Sequence, residues 1–228
     1  MFTTRATILD IESRTADIRV LHLKPDVPVA YDAGQYLQIK APAYEARPFS
    51  IANAPSKDGI LTLHVRNMGS GFSQWLGSQA VVGDVVDITG PFGRLHAADA
   101  TQRAVFMIGG GTGIVPLLAL MQEMIRKGIT EEGITLLYGV RTADDIHCRR
   151  ELDALASSGE VTVHYCIGAK TPDTVLRTLN PDLQHHAVYI SGPDPMLFSL
   201  RPLLMAHGAK EPNIHTDITL NVLTGAGA

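Results

Sequence analysis

The hydrophobic rhythm of the 228-residue chain changes once, near residues 98–103, and that change limits what it can fold into. Before it, apolar and polar residues alternate in short segments at 6–11, 18–23, 36–39, 49–52, 61–65 and 85–88, separated by Gly, Pro, Asn and Asp. A period of two buries one face of a strand and wets the other, and the turn residues between predict six short strands. They suit a small antiparallel barrel, closed or nearly closed. After the change the strand-like runs are mostly apolar: AVFMIG at 104–109, ITLLYGV at 134–140, VTVHYCI at 161–167 and AVYISG at 187–192. Each is followed by a helical stretch, at 114–127, 149–156, 173–179 and 195–206. Strands covered on both faces read this way, so the second half predicts a parallel α/β sheet. The expected units are residues 1–99 and 100–228.

Composition excludes several classes. Hydrophobic residues make up 45% and charged residues 18%, enough apolar surface for packed cores and too much for disorder. The net charge of -4 is mild and the 19 basic residues are scattered, whereas nucleic-acid binding needs a basic face. The longest apolar stretches, 104–108 and 114–121, fall far short of the roughly 20 residues of a membrane span. The N-terminus has no basic start followed by an apolar run, so no signal peptide is expected. Two cysteines, Cys148 and Cys166, lack paired spacing, which predicts packing or surface thiols in a reduced, cytoplasmic protein. The nine histidines are dispersed, and the pair His185 and His186 reads as a solvated turn, so no metal site is expected. Trp75, spaced with Phe72, reads as a core anchor, and Met107, Met121 and Met124 as packing.

Two loops carry candidate chemistry. The run GGGTG at 109–113 joins an apolar strand to an amphipathic helix that ends at a plausible C-cap, Gly128. Glycines let a backbone turn sharply and approach a ligand, and the helix start offers unpaired N–H groups to a phosphate. The run is not the strict G-x-G-x-x-G fingerprint, and from this loop alone a turn that needs glycine for packing is the lesser alternative. The second loop pairs Arg47-Pro48-Phe49-Ser50, at a strand start, with Gly69-Ser70-Gly71-Phe72-Ser73 before a short helix. An arginine near a glycine-loosened helix start suits a phosphate. A surface arginine and a hairpin loop suit the same letters. Ser73 is expected to cap that helix through its hydroxyl.

Six segments in this order and spacing make the chain resemble the ferredoxin–NADP reductase superfamily over nearly its whole length. They are RPFS at 47–50, GFSQWL at 71–76, GPFG at 90–93, GGGTGIVPLL at 109–118, YGVRTADDI at 138–146 and SGPDPM at 191–196. The resemblance implies a flavin-binding β-barrel followed by a Rossmann-like nicotinamide-binding domain. It implies that Arg47 and Pro48 begin the flavin motif, with Arg47 on the flavin phosphate. Phe49, where the family usually has tyrosine, would lie against the isoalloxazine ring, and Ser50 beside flavin N5. Gly71, Phe72 and Ser73 would line the flavin phosphate site. Gly110, Thr112 and Gly113 would hold the dinucleotide's pyrophosphate, while Gly192, Pro193 and Met196 would form the loop beside the nicotinamide. Ser191 stands where the family commonly has cysteine, so Ser50 and Ser191 are the expected catalytic pair.

The implied cofactor is FAD, with FMN open because Ser70 stands where many FAD-binding members have glycine. The implied donor is NADH or NADPH. The segment at 167–170, IGAK, lacks the arginine that usually grips a 2′-phosphate, which favours NADH, although Lys170 or Arg141 could still reach one. The implied acceptor is a separate ferredoxin or oxygenase component, or part of a longer polypeptide, because no cysteine cluster for an iron–sulfur centre is present. A small-molecule acceptor, with free flavin as substrate, and a non-enzymatic electron-transfer or nucleotide-binding subunit are the alternatives. Asp217, in HTD at 215–217, lies near the place where several relatives carry an acidic residue close to the flavin.

Overall fold

The computed structural model describes residues 2–42, 44–97, 104–129 and 132–216. The alternating segments of the first half form strands β1 (Phe2–Ser13), β2 (Ile18–Pro25), β3 (Tyr36–Lys40), β4 (Arg47–Ser50), β5 (Leu61–Arg66) and β6 (Val85–Phe92). They make one antiparallel sheet in the order β4-β3-β6-β1-β2-β5. Their inward residues, among them Ile8, Leu21, Leu37, Ile39, Leu63 and Ile88, form one buried core. The period-two pattern therefore sends each apolar set to a single side.

The outer strands of that sheet, β4 and β5, curl towards each other without pairing along their length. They meet at an isolated bridge between Ile51 and Leu63, just past β4. There Ala52 N–H donates to the Thr62 carbonyl at 2.8 Å, and Thr62 N–H to Asn53 Oδ1 at 2.8 Å. The barrel is thus closed at one end of this seam and open along β4 and the last residues of β5. That opening positions the first part of the site.

The second half is a parallel sheet of β7 (Ala104–Gly110), β8 (Ile134–Val140), β9 (Val161–Ile167), β10 (His186–Ser191) and β11 (Ile214–Thr216). Every residue of β7 is buried, as its unbroken apolar run requires. Helices α2 (Ile114–Lys127) and α3 (Arg149–Ser157) cover one face; α4 (Pro172–Leu179) and α5 (Asp194–Ala206) cover the other. The strand order β11-β10-β7-β8-β9 reverses between β7 and β10, which opens a crevice at their C-terminal ends. The two halves are tied by Tyr189 O–H donating to the His96 carbonyl at 3.1 Å and Ala54 N–H to Gln122 Oε1 at 3.0 Å.

The helix ends agree with the sequence. Gly128 adopts φ +61°, and its N–H donates to the Ile125 carbonyl at 3.0 Å. Two local expectations need correction. The short helix α1 (Gly71–Gln74) begins two residues before Ser73, with Ser70 in the cap position and no side-chain cap bond. Ser73 instead accepts from Met68 N–H at 3.3 Å and donates to the Ser70 carbonyl at 3.1 Å, tying the loop together. The edge strand β11 was not anticipated, because three residues without an apolar run carry no periodic signal; pairing with β10 creates it. The expected boundary at 98–103 and Asp217 lie outside the described residues.

Candidate functional site

The open seam of the barrel continues into the crevice of the parallel sheet as one trench of three adjoining cavities. The first, about 650 Å³, is walled by β4 (Arg47, Pro48, Phe49, Ser50), by His64 and Arg66 of β5, and by the loop and helix start at 70–73. Arg47 and Pro48 are exposed, while Phe49 and Ser50 are half-buried. Phe49 meets Phe72 edge-on at 6.2 Å, and Phe72 stacks on Trp75 at 5.8 Å and 11°. An aromatic wall rooted in the barrel core thus faces an arginine and two hydroxyls, and Trp75 is the anchor that its spacing suggested. Gly69 and Gly71 adopt φ of +78° and +59°, and a Cβ on either would meet nothing within 4 Å. The turn needs these glycines for their backbone angles, and it leaves open space beside the helix start.

The second cavity, about 420 Å³, lies between the halves. It is lined by Ser50 and Arg66 from the barrel, by residues 110–113, by Ser191 at the end of β10 with Gly192 and Pro193 after it, and by Thr216. Both expected catalytic serines therefore open onto one space. The glycine run serves packing as well as approach. A Cβ on Gly113 would stand 2.4 Å from the Ser191 carbonyl oxygen, and one on Gly110 would stand 2.7 Å from Met196 Sδ. Gly111, at φ +54°, takes the turn. The following 14-residue helix α2 has no side-chain cap; its Ile114 N–H already reaches the Gly111 carbonyl, so what it offers an anion here is its positive dipole end, behind the turn at Gly111–Gly113.

The third cavity, about 250 Å³, runs over the ends of β8 and β9, past Arg141, Asp145, Cys166 and Pro172. Met196 lines this cavity and not the one shared by the two serines. Arg141 and Asp145 lie 3.4 Å apart. Burial works against ionisation of Asp145, but the Thr142 backbone N–H and hydroxyl outweigh it and hold the carboxyl below its ordinary value. Lys170 is exposed and is not among the residues lining the cavity. Cys166 is buried, which pushes its thiol up to about 11; burial likewise raises Cys148 to about 12, so both are protonated at neutral pH.

Arg66 borders all three cavities, with Nε 3.2 Å from Asp17 Oδ2. Sequence reading missed it, because a single arginine at a strand end has no local signature. The signal that could have found it is its place on β5 immediately before the Gly69–Gly71 loop. Away from the trench, Asp10, Glu12 and His22 hold ligand-type atoms within 4.8 Å of one another, a cluster that sequence spacing did not suggest. Arg14 already engages Glu12 at 3.0 Å there.

The residues present fit the groups that the motifs imply. An aromatic wall beside an arginine and an open helix start suits a flavin with its phosphate, and an uncapped helix behind a glycine turn suits a pyrophosphate. This is the layout of an oxidoreductase that places a flavin beside a nicotinamide dinucleotide. Two family models match in tandem, an oxidoreductase FAD-binding domain over residues 5–97 and an oxidoreductase NAD-binding domain over residues 107–201. The chain belongs to the ferredoxin reductase-type oxidoreductases that combine these two domains.

Similar proteins include the phenol hydroxylase P5 protein of Acinetobacter pittii, 27% identical over 97% of this chain and 67% of its own length. Another is the ferredoxin–NAD(P)+ reductase component of naphthalene 1,2-dioxygenase/salicylate 5-hydroxylase systems of a Ralstonia species, 29% identical over 93% of this chain and 68% of its own. The solved ferredoxin reductase of carbazole 1,9a-dioxygenase superposes with a TM-score of 0.81 at 26% identity, covering 95% of this chain and 69% of that one. The chain thus spans about two thirds of the length of these relatives.

Proposed function

We propose that this chain passes reducing equivalents from NADH through bound FAD to a separate protein acceptor, of the ferredoxin or oxygenase-component type served by its relatives. Residues 1–99 form the flavin-binding unit and residues 100–228 the dinucleotide-binding unit. The observation that carries this reading is that Ser50 of the barrel and Ser191 of the α/β half line one cavity, between an aromatic-walled cleft and an uncapped helix.

Arg47 and the backbone around Gly71 and Ser73 hold the flavin phosphate; Phe49 and Phe72 provide the apolar wall, with Pro48 holding the strand edge. Ser50 and Ser191 supply hydroxyls from opposite sides of the space where the two rings meet. Gly110, Thr112 and Gly113 receive the pyrophosphate at the α2 N-terminus, while Gly192 and Pro193 close the nicotinamide side. Met196 packs on Gly110 from the third cavity. Held by these residues, FAD would supply a two-electron acceptor for the hydride of the dinucleotide and a one-electron donor to the acceptor protein. Holding the two partners in adjoining cavities makes that transfer effectively unimolecular, so the protein's task is placement.

NADH is favoured over NADPH because the ionised Asp145 stands in the third cavity and Arg141 is already engaged with it. A 2′-phosphate placed there meets a carboxylate. No described helix is long and apolar enough to cross a membrane, and a reduced, cytoplasmic setting suits the two unpaired buried thiols.

The visible spectrum of purified, desalted protein tests the held cofactor. A flavin spectrum, with FAD released on denaturation, is expected. A colourless protein whose NADH oxidation depends saturably on added FMN would make free flavin a substrate instead. Comparing NADH with NADPH at equal concentration then checks the donor.

A further inference from the structure

The two halves meet along a buried polar seam directly behind the trench. His64 of β5 lines the first cavity while only 7% exposed, and behind it stands His147, 2% exposed, from the segment joining β8 to α3. The rings meet edge to face with centroids 5.1 Å apart at 76°. His147 Nδ1 lies 3.1 Å from the hydroxyl of Tyr138, which is fully buried in β8. Tyr138 is the register partner of Gly109 in β7, the first glycine of the loop that lines the second cavity. Side-chain contacts therefore run from the wall of the first cavity to β8, and strand pairing carries them on to β7 and the glycine loop. Farther out, Arg14 holds the same seam, 2.9 Å from Glu151 of α3.

We propose that His147 is a positioning residue for hydride transfer: bearing on His64, it fixes the flavin-side wall against the glycine loop and so sets the spacing of the two ring-binding cavities. The inference rests on the oxidoreductase reading above. Two observations and one general argument support it. Burial, with His147 and Arg14 close by, pulls His64 down to about 3. Burial also lowers His147 to about 4 against a backbone contact at Asp145, so both rings are neutral at working pH. A neutral pair acts by shape and one hydrogen bond, which suits a spacer. Second, His64 Nδ1 and His147 Nε2 are buried without a hydrogen-bond partner, a cost that stability alone does not explain. Third, close-packed interiors transmit displacement, and a shift of about 1 Å in reacting groups can slow a reaction ~100-fold.

The test compares flavin-loaded wild type with His147→Ala, His147→Asn and Tyr138→Phe by anaerobic stopped-flow bleaching, dinucleotide titration, and amide exchange of the flavin-free chains. The Ala variant is expected to bleach at least ~10-fold more slowly at saturating NADH, with the dinucleotide dissociation constant within about 3-fold of wild type. Its amides in Leu61–Arg66 and Ile134–Val140 are expected to exchange faster in the flavin-free chain. Tyr138→Phe should lose less in the same direction, and His147→Asn should recover part of the rate by keeping a polar group near Tyr138. If the Ala variant does not fold, those two carry the test. Wild-type bleaching rates together with unchanged exchange across β5 would overturn the inference. A wild type that neither NADH nor NADPH bleaches sinks the oxidoreductase reading instead, and the exchange arm still decides the seam.

Discussion

Single residues in the trench separate into those that meet a ligand and those that let the protein meet itself. Arg47 is proposed to be of the first kind: it is exposed at the rim of the first cavity. Arg47→Ala is expected to weaken flavin binding by roughly 10- to 100-fold, the worth of a charge-assisted phosphate contact, with dinucleotide affinity unchanged; fluorescence titration of the flavin-free protein measures it. Gly113 belongs to both kinds: it is proposed to receive the pyrophosphate, and an added Cβ would stand 2.4 Å from the Ser191 carbonyl oxygen. Gly113→Ala should cost about 1–3 kcal/mol through overpacking, read by denaturant unfolding. Gly71→Ala faces open space but keeps φ +59°, so backbone strain of about 1–2 kcal/mol is its expected cost. The glycine runs and Arg47 were legible in the sequence because turns and phosphate loops demand particular residues. Arg66 was not, because its importance lies in three cavities converging on it.

At the scale of elements, hydrophobic period carried most of the information. Five of the six barrel strands lie where alternation put them and β4 begins two residues earlier, at Arg47; β7 and α2 were legible from an unbroken apolar run and an amphipathic stripe closed by Gly128. Elements made by tertiary pairing were not legible: β11 exists because β10 offers it an edge, and the start of α1 follows from Ser70 and Gly71, not from Ser73. The helix proposed to receive the pyrophosphate is held by Leu117, fully buried in the core, whose Cδ1 would stand 3.3 Å from a Cβ on Gly109. Leu117→Ala is expected to cost about 2–5 kcal/mol of stability, seen as a lower denaturant midpoint. Dinucleotide affinity should fall less than for a change within residues 110–113.

The molecule as a whole is two sheets joined at their open ends, and its function resides in the join. Neither half alone contains a cavity with both Ser50 and Ser191. Sequence motifs could name both serines, yet the buried His64–His147 contact had no motif, since partners far apart in the chain leave no local pattern. That seam gives the fold an acid-side weakness. Both histidines fall from 6.5 to about 3 and about 4 in the folded protein, chiefly through burial. Depressed values mean that protons bind the unfolded chain more tightly, so their contribution to stability is complete above about pH 6.5. It is lost as pH falls through the folded values. Denaturant midpoints should therefore drop between about pH 6.5 and 4, with a shallower slope in His147→Asn.

One anaerobic titration bears most directly on the claim that flavin and dinucleotide meet in this trench: NADH added to flavin-loaded protein while the visible spectrum is recorded. Stoichiometric bleaching, lost in a variant such as Gly113→Ala that still holds flavin, is the predicted result. A bound flavin that stays oxidised in excess NADH and in excess NADPH would contradict it.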